Sequence, residues 1–326
     1  MRNVAQCLVF FFFKIMTAAA MHLYLPQGNS VSAPVAVEGA PGVDLIACYW
    51  TLAGAYVFGE DDHSPWRFRE RAEAAGRAGY TGFGFKQADL RQILAHHSCA
   101  EVRHILADNG LRHVELEALF DWCADGEARR RSDADRHLLL ATAAELGAHR
   151  IKAAGDFGGA NWPVEHMHNA FQVLARQARD VGSTFTLEPI AFSNIPDLDT
   201  ALAIIGNSAG KGGGLMLDSW HVTRGRMSLA QIAALPPGTI GGAELDDGTL
   251  ETVGSPIADT LDRRRLCGEG EFDLPAFIAA VQASGYNGPW GVEIISAAQR
   301  ALPLTAAATR SFDTTARLFA GTPLSD

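Results

Sequence analysis

Ser183-Thr-Phe-Thr-Leu-Glu188 is a short run of strand-forming residues that ends on an acid, and the same design returns at Gly214-Leu-Met-Leu-Asp218, Thr239-Ile-Gly-Gly-Ala-Glu244 and Pro289-Trp-Gly-Val-Glu293. Each run is bounded by Gly, Pro or Ser and followed by polar residues, so each carboxylate falls where a buried strand gives way to its C-terminal loop. In a parallel barrel those strand ends share one mouth, the end at which such barrels work. A single acid there would mean little, because edge strands often finish on a solvated carboxylate. Four gathered at one mouth repel and raise one another's pKa unless a cation neutralises them. The four acids therefore predict a metal site.

Working outward, strand-like segments alternate with amphipathic helical ones from Gly42 onward, the pattern of a parallel sheet with crossover helices. Strands are expected over 43–48, 79–85, 112–118 and 149–154, ahead of the four acid-tipped runs. Helices are expected over 66–78, around Val102, Ile105 and Leu106 up to Asn109-Gly110, over 132–147, and after Pro163 through Phe171. In the second half they are expected over 196–205, 228–235, 274–284 and 304–320. Trp50, His63 and Pro65 fall in a long loop after the first strand. Eight such units make a (β/α)8 TIM barrel. An open dinucleotide-binding sheet is a poorer match, because Gly210 and Gly212 to Gly214 precede a strand where the nucleotide loop must follow one.

With 326 residues, 48% of them hydrophobic, the chain can bury the core of one such barrel. The expected division is an N-terminal extension over 1–41, disordered or irregular and outside the fold, and a barrel domain over 42–326. The extension carries Arg2, an apolar stretch from Cys7 to Phe13 interrupted by Lys14, and Ala18-Ala19-Ala20. That is a weak signal-peptide pattern, too short to span a bilayer; an unstructured extension, with Met21 as the natural start, is the preferred reading and a signal peptide the alternative. Five scattered cysteines without CxxC spacing read as reduced thiols, and the expected compartment is cytoplasmic. A net charge of −10 argues against nucleic acid and membrane as partners, since both rely on Lys and Arg meeting phosphate. The partners expected are a small neutral or weakly charged substrate and a second copy of the chain.

Oxygen-only ligation by Glu188, Asp218, Glu244 and Glu293 selects a hard divalent ion, Mn first and then Mg or Co, over zinc. The negative charge left over calls for a nearby base such as Lys152, Arg264 or Arg265. His221 follows Asp218 by three residues and is expected on the loop beside the metal carboxylate, as a site residue. Glu115 and Glu117 are two apart on one strand and face the same side. Glu117, nearer the mouth, reads either as an acid/base or substrate-hydroxyl acceptor, or as the salt-bridge partner of Lys152 on the next strand. Trp50, Trp122, Phe192 and Trp220 follow strand ends, where aromatic faces can pack on sugar C–H surfaces.

Several passages together resemble the sugar phosphate isomerase/epimerase superfamily of xylose isomerase-like TIM barrels. They are Leu187-Glu188-Pro189, Leu217-Asp218-Ser-Trp-His221, Glu244-Leu-Asp-Asp247-Gly, and Arg265-Leu-Cys-Gly268-Glu-Gly270 leading through Gly285-Tyr286-Asn-Gly288 to Val292-Glu293. The resemblance implies that Glu188, Asp218, Glu244 and Glu293 hold one divalent metal and that Glu188 and Glu293 also move protons. It further implies that His221 is a substrate contact or acid/base and that Arg265 anchors substrate. The sequence departs from the family pattern in Glu244, where His or Gln is common, and in Asn194, where epimerases carry a second Glu. The reaction implied is proton abstraction α to a carbonyl of a sugar or cyclitol substrate, ending in isomerisation or epimerisation, or alternatively in elimination as in relatives acting on inosose, dehydroshikimate or 3-keto-glycosides. A non-catalytic sugar-binding barrel is a lesser alternative.

Overall fold

The computed structural model describes residues 43–55, 63–158 and 161–320; the expected extension over 1–41 lies outside them. Eight parallel strands close in chain order: β1 (Leu45–Ala47), β2 (Gly82–Lys86), β3 (His113–Leu119), β4 (Arg150–Ala154), β5 (Thr184–Glu188), β6 (Gly213–Asp218), β7 (Ile240–Leu245) and β8 (Trp290–Val292). The closure is made by β8 against β1, with Leu45 opposite Trp290 and Ala47 opposite Val292. Each of the eight expected runs overlaps one strand.

Alternation along the strands sorts their side chains into two environments. Phe83 and Phe85, Leu116, Ile151, Phe185 and Leu187, Leu215 and Leu217, and Trp290 face outward, into the apolar layer between barrel and helices. The inward set differs from the branched apolar filling usual in such barrels. Glu115, Glu117, Arg150, Lys152, Thr186, Glu188, Asp218 and Glu244 are all buried there. Glycines make the room. A Cβ on Gly84 would come within 2.8 Å of Glu117 Oε1 and of the Tyr49 amide, and one on Gly291 within 2.6 Å of Glu244 Cγ. A side chain at either position would displace a carboxylate.

Helix expectations hold less well where caps decide. The loop after β1 opens with a helix, Tyr49–Ala53, that carries Trp50. The region expected as one helix before Asn109 holds two, Gln87–His96 and Cys99–Asp108. Ser98 and Glu101 form a capping box that starts the second. His221, expected on a loop, lies instead on the short helix Ser219–Arg224, because the Asp218 carboxylate accepts the Trp220 N–H at 2.8 Å and caps a helix directly at the end of β6. A further helix, Pro256–Asp262, stands between β7 and β8, N-capped by Ser255. The last helix, Leu304–Ala316, stops short of the expected end at 320. Among the described residues no helix is long and apolar enough to cross a membrane.

Candidate metal centre

The four strand-end acids converge. Oxygens of Glu188, Asp218, Glu244 and Glu293 lie within 4.8 Å of one another, and ligand atoms of Glu188, Asp218 and His221 form an overlapping group of three within the same distance. Opposite ligands of an octahedral ion with bonds of about 2.1 Å stand about 4.2 Å apart, so the four can share an ion after small side-chain adjustments. Asp218 and Glu244 face each other across the β6–β7 pair, and Glu293 follows β8 by one residue.

Two buried cations are set among these acids. Lys152 Nζ, from β4, lies 2.7 Å from Glu293 Oε1 and 2.8 Å from Glu244 Oε2. Arg264 Nη1 donates to Asp218 Oδ2 at 2.7 Å, Asp246 Oδ2 at 2.6 Å and Glu293 Oε2 at 2.9 Å. Ser219 Oγ completes the Asp246 site at 2.7 Å from Oδ1. Below, Glu115 is paired with Arg150, and Cys48 Sγ approaches Glu244 Oε1 at 3.4 Å.

Six carboxyl groups, Glu117, Glu188, Asp218, Glu244, Asp246 and Glu293, thus surround two fixed cations. The excess negative charge shows in their protonation. Burial, reinforced by Glu293 and Glu115, raises Glu117 to about 7. Burial, with Glu293 and Asp218 nearby, raises Glu188 to about 8. Burial also pushes Glu244 and Asp246 well above the usual carboxylate range. Glu293 is the exception: burial opposes its ionisation, but Lys152 and Arg264 outweigh it and hold the carboxyl at about 2. Burial and the Arg264 charge keep His221 well below the ordinary imidazole value, and hence neutral. Two buried atoms, Glu188 Oε1 and His221 Nδ1, have no hydrogen-bond partner. An oxygen-rich, charge-excess cluster with an unpartnered carboxylate oxygen is a donor set that fits a hard divalent cation.

A cavity opens above this cluster. Glu117, Lys152, Glu188, His221, Glu293 and Trp50 all line it. Arg265 does not. It is exposed and donates to the Glu269 carbonyl at 3.3 Å, while the neighbouring Arg264 turns inward. Backbone pairing of Asp247 with Arg265 points the two arginines to opposite sides, so Arg265, the expected substrate anchor, lies outside the cavity and Arg264 lines it. Glu117 makes the expected ion pair and also faces the cavity: its Oε2 is 3.4 Å from Lys152 Nζ, and its Oε1 accepts the Tyr49 N–H at 2.6 Å. Of the aromatics, Trp50 and Phe192 line the cavity. Trp122 is buried, donating to the Ala154 carbonyl, and Trp220 packs on Phe272 and Arg224. The upper wall is a chain of ring contacts from Phe120 through Phe157 and Phe192 to His221, at 5.9, 5.7 and 5.8 Å. Lys86, at the end of β2, sits 4.9 Å over the Trp50 ring, and burial lowers its pKa to about 8.

Sequence reasoning passed over Asp246, Lys86, Phe120 and Phe157. Asp246 had a signal, since it follows Glu244 by two and so continues the inward face of β7. Lys86 had one too, ending its strand as the acids end theirs. The four described cysteines, Cys48, Cys99, Cys123 and Cys267, are free thiols.

The profile of the xylose isomerase-like TIM barrel family matches residues 72–315. Curated relatives include the 3-dehydroshikimate dehydratase of Pseudomonas aeruginosa, 29% identical over 248 residues, and that of Pseudomonas putida, 24% identical over 243. These alignments cover 73% and 72% of this chain but 37% of each relative, so the chain spans little more than a third of their length. Among solved structures, the IolI protein with a bound zinc atom superposes with a TM-score of 0.72 at 18% identity, covering 84% of this chain and 97% of that one. D-allulose 3-epimerase from Methylomonas sp., in complex with D-allulose, gives 0.62 at 20% identity, covering 86% and 96%. Likeness at that identity speaks for the fold, and together with the profile match over most of the barrel it settles the kinship: this chain belongs to the xylose isomerase-like TIM barrel family.

Proposed function

We propose that the chain is a divalent-metal-dependent enzyme that removes a proton α to the carbonyl of a cyclic, polyhydroxylated ketone and expels a β-oxygen substituent, a dehydratase or lyase reaction. The observation that carries this reading is the inequality of two rim glutamates. Glu188 keeps Oε1 without a partner and is raised to about 8 by burial, whereas Glu293 has one oxygen on Lys152 and the other on Arg264 and is held at about 2. Two-base epimerisation needs a free proton carrier on each face of the substrate, and Glu293, with both oxygens held by Lys152 and Arg264, is a poor candidate for the second. Elimination needs one base and one acid over the leaving group.

Glu188 is the proposed base. Glu117, raised to about 7 by burial and held by the Tyr49 amide, is the proposed acid that protonates the departing hydroxyl or alkoxide. Glu188, Asp218, Glu244 and Glu293 would hold the ion, and their oxygens suit Mn, with Mg or Co next. When bound, the ion supplies Lewis-acid stabilisation for the negative charge of an enolate. Neutral His221, with Nδ1 unpartnered, contacts a substrate hydroxyl; Lys152 and Arg264 keep Glu293 ionised; the Phe120–Phe157–Phe192 wall and Trp50 pack on ring C–H faces and exclude water. The dehydratases among the curated relatives support the elimination outcome. Isomerisation or epimerisation is the second reading, favoured by Glu188 and Glu293 lining one cavity.

The test is incubation of Mn-loaded protein in deuterated water with inososes, 3-dehydroshikimate, 3-keto-glycosides and ketoses, followed by absorbance and NMR. An enone or aromatic product from a cyclic ketone is expected. Deuterium incorporation without elimination would transfer the reading to an isomerase, and neither signal with any compound would reject both.

A further inference from the structure

Lys152 stands where an ion would draw on its ligands. Its ammonium lies 2.7 Å from Glu244 Oε1 and 2.8 Å from Oε2, so both oxygens of that carboxylate converge on it, and it lies 2.7 Å from Glu293 Oε1. Glu117 Oε2, at 3.4 Å, is its third partner. The side chain is buried, and β4 places Arg150 on the same inward face one layer below, already paired with Glu115. With a like charge beneath it, the ammonium is held by carboxylates alone, those of Glu244, Glu293 and Glu117.

Resting on the metal reading above, we infer that Lys152 is a resident competitor for the divalent ion. It holds Glu244 and Glu293 together in the metal-free protein, and it weakens metal binding because ammonium and ion draw on the same carboxylate oxygens and repel each other. Two consequences of opposite sign follow. Deleting the ammonium frees Glu244 and removes a repelling charge, which tightens metal binding. It also leaves the metal-free cluster with one cation fewer, which weakens the metal-free fold. A lysine that merely buttressed the ligand shell would, on deletion, weaken both.

The experiment compares the wild type with Lys152→Met and Lys152→Gln, each prepared with Mn, by chelator competition for Mn and by thermal unfolding with and without the ion. Lys152→Met is expected to bind Mn at least about tenfold more tightly, as removal of a unit charge a few ångströms away allows, while its metal-free Tm falls and its metal-induced rise in Tm widens. Glu117→Gln is expected to move affinity the other way, since it leaves the ammonium to Glu244 and Glu293 alone. Should Lys152→Met not stay folded without metal, the chelator concentration that half-empties the loaded protein gives the same comparison. Mn affinity that is unchanged or weaker in a folded, loaded Lys152→Met overturns the inference and leaves the metal reading standing. Failure of both wild type and variant to take up Mn overturns the two together.

Discussion

The β3–β4 wall and the β5–β8 rim both bury acids inside one barrel, but they neutralise them differently. On the wall each acid has a base on the adjacent strand, Glu115 with Arg150 and Glu117 with Lys152. On the rim Glu188, Asp218, Glu244 and Glu293 come with no base of their own strands, and rely on Lys152 from the wall and Arg264 from the connection between β7 and β8. A self-compensated pair is architecture, and removing one member leaves an unpaired buried charge. A rim with more acids than cations is where we propose that a divalent ion binds. The difference separates Glu115 and Arg150, which hold the barrel, from the rim acids, and Glu117 and Lys152 stand between the two because both also line the cavity.

That separation can be broken most directly at the rim. Glu188→Gln should lower turnover by about 10³-fold or more, the scale of a lost general base, while the fold, measured by thermal unfolding without metal, holds or gains. Equal losses in activity and stability would erase the distinction. On the wall the expectation is reversed: Glu115→Gln strands Arg150 and should cost about 3–5 kcal/mol of stability in denaturant titration. Gly84→Ala tests the packing that joins the two regions, since its Cβ would stand 2.8 Å from Glu117 Oε1 and the Tyr49 amide. A loss of about 1–3 kcal/mol is expected there, with reduced activity.

Proton linkage gives a graded test. Glu188 and Glu117 have folded-state values raised to about 8 and about 7 from 4.5, so the folded metal-free protein binds more protons than the unfolded chain and loses stability as pH rises through that window. Glu293 and Glu115, held at about 2, act oppositely, with stability that is present above 4.5 and lost as pH falls towards 2. Thermal scans from pH 4 to 9 should show the metal-free Tm declining on the alkaline side, with added Mn levelling that decline as the ion takes the place of protons. The smallest effect is expected from Arg265→Ala, within about 0.5 kcal/mol and without change in kcat/KM, because the side chain is exposed. Arg264→Ala at the next position should be severe in both measurements.

The strand-end acids were legible because period-two alternation and Gly, Pro and Ser boundaries are local properties, and a strand that ends on Glu places that Glu at the mouth of any parallel barrel. Asp246 could have been read by the same alternation. His221 was placed on a loop because the Asp218 side chain has two uses, as a rim acid and as the cap of the Ser219–Arg224 helix, and the second is invisible until the backbone turns. Glu117 remained ambiguous because salt-bridge partner and cavity wall are not exclusive when a carboxylate has two oxygens.

By itself the sequence determined the number of strands, their parallel order and the acids that tip the last four, since these follow from hydrophobic period, turn residues and chain order. Tertiary structure alone decided which cations reach those acids, that Arg264 and not Arg265 turns inward, and that Glu188 and Glu293 are unequal. Those outcomes depend on distances between residues far apart in the chain and on low-dielectric burial, and electrostatic energy in a closed barrel is a property of the assembled set, which no local stretch encodes.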